Sequence, residues 1–137
     1  DSRADIILTP HPMEFYRLTG KPPDYLIENR IECSKEFAAE YGVTLVFKGS
    51  FSVVTFSDKT AYINNTGNEG MAKGGSGDVL AGIIGGIANH CGSAQMAALA
   101  GVYLHGLAGD IAKDNIGTIS MTAEDIISYI PKAFKKI

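Results

Sequence analysis

The chain has 137 residues, 45% of them hydrophobic and 20% charged, with a formal net charge of −3. That is ordinary globular composition with enough chain for a core, and residues 1–137 read as a single domain. No basic stripe points to nucleic acid, and no apolar run approaches the ~20 residues of a membrane span. Cys33 and Cys91 are too few for a disulfide framework and stand in no metal-type spacing. The polar opening, residues 1–5, carries no signal-peptide pattern, so an intracellular, cytoplasmic protein is expected.

Ile6-Ile7-Leu8 is a short apolar run, expected to be a strand buried on both faces. Thr9-Pro10-His11-Pro12 follows it. The two prolines exclude a helix across this point and stiffen a loop at the strand's C-terminal end, where open α/β sheets bind ligands. His11 stands in that loop with Glu14 just beyond. The pair reads either as a contact to a ligand or a hydrated Mg²⁺, or as a solvent-facing histidine beside a first-turn helical glutamate. Residues 13–18 are expected to form a short helix stopped by Gly20. Residues 24–40 are expected to form a long one, with Leu26, Ile27, Ile31, Phe37 and Ala38 on its apolar face and Gly42 at its left-handed end. Residues 43–47 read as a second buried strand, ending in Lys48-Gly49-Ser50. Lys48 suits a phosphate or nucleotide and Gly49 a close backbone approach; a surface lysine and a turn glycine are the plainer alternative. Residues 52–57 and 60–64 read as strands joined by a tight turn at Asp58-Lys59.

Residues 64–82 are the stretch the rest serves: a glycine-rich loop running into an apolar helix of small residues. Gly74, Gly75 and Gly77 give the backbone freedom that a side chain would remove. Their N–H groups, with those at the start of the helix expected near Asp78, can converge on an anion, and phosphate is the usual occupant. A carboxylate beside a phosphate cradle repels the ligand, so Asp78 needs another task. The best is to take a proton from a hydroxyl that attacks the phosphate. The Walker pattern is absent, because Lys73 is followed by Gly74. Gly75-Ser76-Gly77 opens a dinucleotide fingerprint whose third glycine is replaced by Leu80. A helix N-cap with a flexible entry is the alternative, but capping needs one polar residue rather than four glycines within residues 70–77.

The helix over residues 79–88 contains Gly82, Gly85 and Gly86, each costing roughly 1 kcal/mol against alanine, which implies close packing against a neighbour. Ser93 is placed as the N-cap of a buried, small-faced helix over residues 94–113, in which His105 is expected to be a hydrogen-bonded core or interface histidine. Thr122 with Asp125 forms a capping box for the last helix, which Pro131 is expected to interrupt. The tally is α/β, with helices covering a mixed sheet.

Several of these blocks together resemble the ADP/ATP-dependent NAD(P)H-hydrate dehydratases, which are ribokinase-like enzymes. They are Thr9-Pro10-His11-Pro12-Met13-Glu14-Phe15, Phe47-Lys48-Gly49, residues 65–84 and residues 101–110. The resemblance runs from about Asp5 to Tyr129. It implies the C-terminal part of a layered helix–sheet–helix domain with a mixed sheet, the family's catalytic domain being about twice this length. It implies repair of damaged cofactor: a nucleotide phosphorylates the 6-hydroxy hydrate of NADH or NADPH, phosphate is eliminated, and the dihydronicotinamide returns. Asp78 would be the catalytic base, and Gly75, Ser76 and Gly77 the anion hole. His11 and Asp78 would contact the hydrate. Lys48, Gly49, Ser50, Phe51, Ser52 and Gly77 would contact the adenine nucleotide, ADP or ATP. Glu14 falls at the family's acid near Mg²⁺, acting through water. The chain is expected to form homo-oligomers or to pair with a missing N-terminal half. Met13 replaces a common glycine, and Lys73 a small or hydroxylated residue. Two other functions fit less of the pattern: a ribokinase-like kinase of a carbohydrate or vitamin precursor, and a non-catalytic nucleotide-binding half-domain.

Overall fold

The computed structural model describes residues 4–137; Asp1, Ser2 and Arg3, part of the polar opening, lie outside the described residues. The chain divides into two compact units, residues 1–64 and residues 65–137.

The first unit is built on a four-stranded mixed sheet in the order β1 (Ile7–Leu8), β2 (Thr44–Phe47), β3 (Val53–Thr55), β4 (Ala61–Ile63). β1 and β2 are parallel, with Ile7 opposite Thr44. The crossover between them carries α1 (Pro12–Thr19), α2 (Pro23–Glu28) and α3 (Arg30–Tyr41). β2, β3 and β4 are successive antiparallel neighbours, with Val46 opposite Val54 and Val54 opposite Tyr62. β2 and β3 are buried along their whole length, Leu45, Val46, Phe47, Val53 and Val54 together with the threonines Thr44 and Thr55. β1 is only half-buried, because it forms one edge of the described sheet. The core of this unit is aromatic. Phe15 of α1 is fully buried, its ring 5.2 Å from Phe37 of α3 and 5.0 Å from Phe47 of β2.

The long helix expected over residues 24–40 is two helices. The chain breaks at Asn29, whose ψ of 33° leaves the helical range while its side chain donates back to the Tyr25 carbonyl at 3.0 Å. The expected stops hold: Gly20 and Gly42 both end helices in the left-handed region, at φ 71° and 65°.

The second unit is helical: α4 (Ser76–Ile87), α5 (Ala94–Ile116) and α6 (Ala123–Phe134), around a core that includes Ile83, Leu104, Ala108, Met121 and Ile126. Ser93 caps α5, its hydroxyl accepting from Met96 N at 3.2 Å. Thr122 and Asp125 form the expected capping box. Pro131 does not interrupt α6, which runs through it to Phe134. The close neighbour expected for Gly82, Gly85 and Gly86 is not found: among the described residues, a Cβ at any of the three would meet nothing within 4 Å. Close approach occurs instead on α5. A Cβ at Gly101 would collide with Ile84 of α4, and one at Gly106 would sit 2.6 Å from the backbone carbonyl carbon of Thr66.

Candidate active site

In the first unit, the stiff loop after β1 and the end of β2 are joined by a hydrogen bond from Lys48 N to the Pro10 carbonyl, 2.9 Å. This brings His11, Glu14 and Lys48 together. His11 is the N-cap of α1: its Nδ1 accepts from the amides of Met13 (3.1 Å) and Glu14 (3.2 Å). Glu14 closes the box, its Oε2 accepting from His11 N at 2.7 Å and facing Lys48 Nζ at 3.3 Å. The His11 N–H holds the Glu14 carboxyl below its usual range against the opposing effect of burial, and Lys48 adds to it. Met13, the departure from the common glycine, is exposed and helical, so it leaves the cap intact.

Beyond Lys48, residues 49–52 form the turn that joins β2 to β3. Phe51 takes φ 62°, unusual for a residue with a side chain, and its ring is 65% exposed. Arg30, at the start of α3, reaches this turn and donates through Nη1 to the carbonyls of Ser50 (2.8 Å) and Phe51 (3.1 Å). Sequence reading missed Arg30, since nothing local marks a contact across 20 residues of chain.

In the second unit, the glycine loop leads into α4 at Ser76, two residues earlier than expected. Of Gly74, Gly75 and Gly77, only Gly75 is recorded at positive φ (87°), and it is the N-cap. The amides of Gly75 and Gly77 make no backbone hydrogen bond among the described residues, whereas Ser76 N donates to the Lys73 carbonyl at a long 3.3 Å. Two unpaired N–H groups therefore stand at the positive end of a helix of 12 residues. Asp78 is in the first turn, exposed, at one end of an open apolar groove of about 490 Å³ between α4 and α6. Ser76 is buried, and its hydroxyl lies 3.3 Å from His105 Nε2 on α5. Burial pushes the His105 imidazole down to about 4, against the raising effect of Ser76. It is half-buried and hydrogen-bonded, as expected for a core or interface histidine, and neutral at pH 7.

The rest of the loop is tied to α5. Gly67 N and Asn68 Nδ2 donate to the two oxygens of Asp110, at 2.8 and 3.0 Å, and Thr66 Oγ1 donates to the Tyr103 carbonyl at 3.0 Å. Lys73 Nζ donates to the Ile119 carbonyl at 3.1 Å, so its ammonium is directed to the 117–122 connection. Asp110 is a further residue that sequence reasoning did not assign.

A sequence-family profile described as NAD(P)H-hydrate dehydratase matches residues 1–132. The chain belongs to the NAD(P)H-hydrate dehydratase family. It is 42% identical over 132 residues to a bifunctional NAD(P)H-hydrate repair enzyme of Moorella thermoacetica, covering 96% of this chain and 25% of that one. With the ADP-dependent (S)-NAD(P)H-hydrate dehydratase of Bacillus subtilis it shares 38% identity over 131 residues, 96% of this chain and 48% of the relative. Among solved structures, the B. subtilis ADP/ATP-dependent NAD(P)H-hydrate dehydratase co-crystallised with ATP/Mg²⁺ superimposes with a TM-score of 0.95 at 37% identity, over 99% of this chain and 49% of that one. A ribokinase-like superfamily protein of Enterococcus faecalis matches with a TM-score of 0.75 at 30% identity, over 94% and 44%. The ribokinase-like α/β class expected from the sequence is therefore shown. The chain spans a quarter to a half of the length of the curated relatives it matches, which fits the expected correspondence to a part of the family's domain.

Among the described residues no group of three or more His, Cys, Asp or Glu is placed to hold a metal, and no helix is long and apolar enough to cross a membrane. Glu14, a lone carboxylate already facing Lys48, suits a water-mediated contact to a Mg²⁺ carried in on a nucleotide rather than a metal held by protein ligands alone.

Proposed function

We propose that this chain serves the nucleotide-dependent dehydration of NAD(P)H hydrate, as the C-terminal half of one ribokinase-like dehydratase domain. The supporting observation is the start of α4. Two unpaired glycine amides at a helix N-terminus stand beside an exposed aspartate one turn in. An anion hole alone binds phosphate; an adjacent carboxylate adds the base that phosphoryl transfer to a hydroxyl requires.

In this reading Asp78 takes the proton of the hydrate's hydroxyl as its oxygen bonds to the terminal phosphorus of ADP or ATP. The bond from that phosphorus to the nucleotide's bridging oxygen breaks, and the N–H groups of Gly75, Ser76 and Gly77 stabilise the charge that develops. The phosphorylated carbon then loses phosphate as the ring nitrogen supplies its electron pair, and a proton leaves the neighbouring carbon. His11 contacts the hydrate. Lys48, Gly49, Ser50, Phe51, Ser52 and Gly77 hold the nucleotide, and Glu14 contacts its Mg²⁺ through water. Mg²⁺ supplies neutralisation of phosphate charge.

The test is turnover of the hydrate with Mg²⁺ and either ADP or ATP, followed by the returning dihydronicotinamide absorbance. Asp78→Asn should lower the rate by at least ~100-fold, the lower range for loss of a general base. A stable phosphorylated product without release of phosphate would instead make the protein a kinase. Pairing with an N-terminal half, or with copies of this chain, belongs to the same proposal; self-assembly would make specific activity rise with chain concentration.

A further inference from the structure

We infer that Arg30 is the positioning residue of the nucleotide loop, clasping the Ser50 and Phe51 carbonyls so that residues 48–52 are shaped before ligand arrives. This rests on the assignment of that loop to the nucleotide.

Four observations converge on the guanidinium. Its Nη1 donates to two successive carbonyls, Ser50 O at 2.8 Å and Phe51 O at 3.1 Å. Its carbon lies 5.6 Å from the centroid of the buried Phe47 ring, which supplies a flat support for a flat cation. Its Nη2 fills the space beside Gly49: a Cβ there would lie 2.8 Å from it. And the residue whose carbonyl it holds, Phe51, sits at φ 62°, a conformation a side chain resists unless the surroundings impose it.

The last two observations change the meaning of the loop's sequence. A methyl at Gly49 would push on the Arg30 guanidinium where it now lies, before any ligand is met. Phe51, itself exposed, has its carbonyl held by Arg30 while its backbone sits in the left-handed region. A loop that must find a left-handed residue on binding loses affinity to that rearrangement; a loop already held there does not. Only arginine combines two-carbonyl donation with stacking, since the lysine ammonium is a compact point charge without a plane.

The experiment is calorimetric titration of the chain with Mg²⁺–ADP and Mg²⁺–ATP, at a temperature where all variants are folded by circular dichroism. Arg30→Met keeps the stem and removes the donors; it should weaken the nucleotide about tenfold or more. Arg30→Lys should recover only part of that, because an ammonium can donate to carbonyls but has no plane to rest on Phe47 and no second nitrogen beside Gly49. Gly49→Ala should weaken binding several-fold, and its effect should shrink in the Arg30→Met background, where the added methyl has room. Additive effects would mean that the methyl meets the ligand directly, and would overturn the coupling to Arg30. If Arg30→Met does not fold, the same cycle runs with Arg30→Lys. Wild-type affinity in Arg30→Met, with binding lost in Lys48→Ala, overturns the inference and leaves the nucleotide loop standing. No binding by the wild type, or unchanged binding in both variants, removes the loop assignment and the inference with it.

Discussion

Replacing Gly106 by alanine should unfold the glycine loop's attachment to α5, although the same change in an open helix position stabilises. A Cβ at Gly106 would sit 2.6 Å from the Thr66 carbonyl carbon and 2.7 Å from its oxygen, where ordinary contact begins at 3.4 Å. The obstacle is backbone, so no rotamer change relieves it, and the loop must retreat by roughly 1 Å. That retreat lengthens the Thr66–Tyr103 bond and both bonds to Asp110, now 2.8 to 3.0 Å, beyond useful range. Overpacking costs about 1–3 kcal/mol and each weakened bond about 1 kcal/mol, against a helix-propensity gain of about 1 kcal/mol. With three bonds weakened, the net loss is about 3–5 kcal/mol. Gly82→Ala and Gly85→Ala are the controls: with nothing within 4 Å of either new methyl, each should stabilise by up to about 1 kcal/mol. Urea titrations of the three variants beside the wild type read the differences directly. If Gly106→Ala matches the controls in sign, the loop does not rest on α5 as described, and the positioning of the anion site must be explained otherwise.

Two further outcomes follow from single residues. His105 is neutral when folded, its imidazole at about 4 against 6.5 in the unfolded chain. Between those values the unfolded state binds more protons, so stability falls as the pH drops from 6.5 to about 4 and is level below that. At about 1.4 kcal/mol for each unit of depression, the loss reaches roughly 3 kcal/mol at most. His105→Gln should flatten that part of the stability profile. Phe15→Ala should cost about 3–5 kcal/mol in thermal or urea unfolding, because a fully buried ring between Phe37 and Phe47 leaves a cavity that rigid neighbours cannot close.

The parts of this chain legible in its sequence are those fixed by neighbours along it. The caps at Ser93 and Thr122, the stops at Gly20 and Gly42, the buried run of β2 and the hairpin of β3 and β4 each depend on a few adjacent residues, and each was readable. Asn29 was not. Neither proline nor glycine marks it, and the apolar spacing continues through it; the break shows only in the structure, where the Asn29 side chain bonds back to the Tyr25 carbonyl. Pro131 misleads in the other direction. It removes one helical hydrogen bond, yet Ile126 and Ala133, both fully buried, anchor α6 on either side. At the candidate site, the loop's glycines and Asp78 were visible because backbone freedom and charge are local properties. Arg30 and Asp110 were invisible because their partners lie 20 and more than 40 residues away. The small residues of α5 were readable as a close-packed face, but not that Gly106 faces Thr66 while Gly109 faces Met71.

Tyr103, Gly106 and Asp110 lie on one stripe of α5, and each meets the glycine loop at a different point. A helix turns about 100° per residue, so this stripe works as a ruler read in phase. One residue added between Tyr103 and Asp110 would swing the carboxylate a quarter turn away from Gly67 while Thr66 stayed in place. Seven added residues, two full turns, would restore the phase but carry the carboxylate about 10 Å along the axis, out of reach of the loop. The spacing within this part of α5 is therefore a fixed quantity of the protein, even though most of its side chains are small enough to exchange.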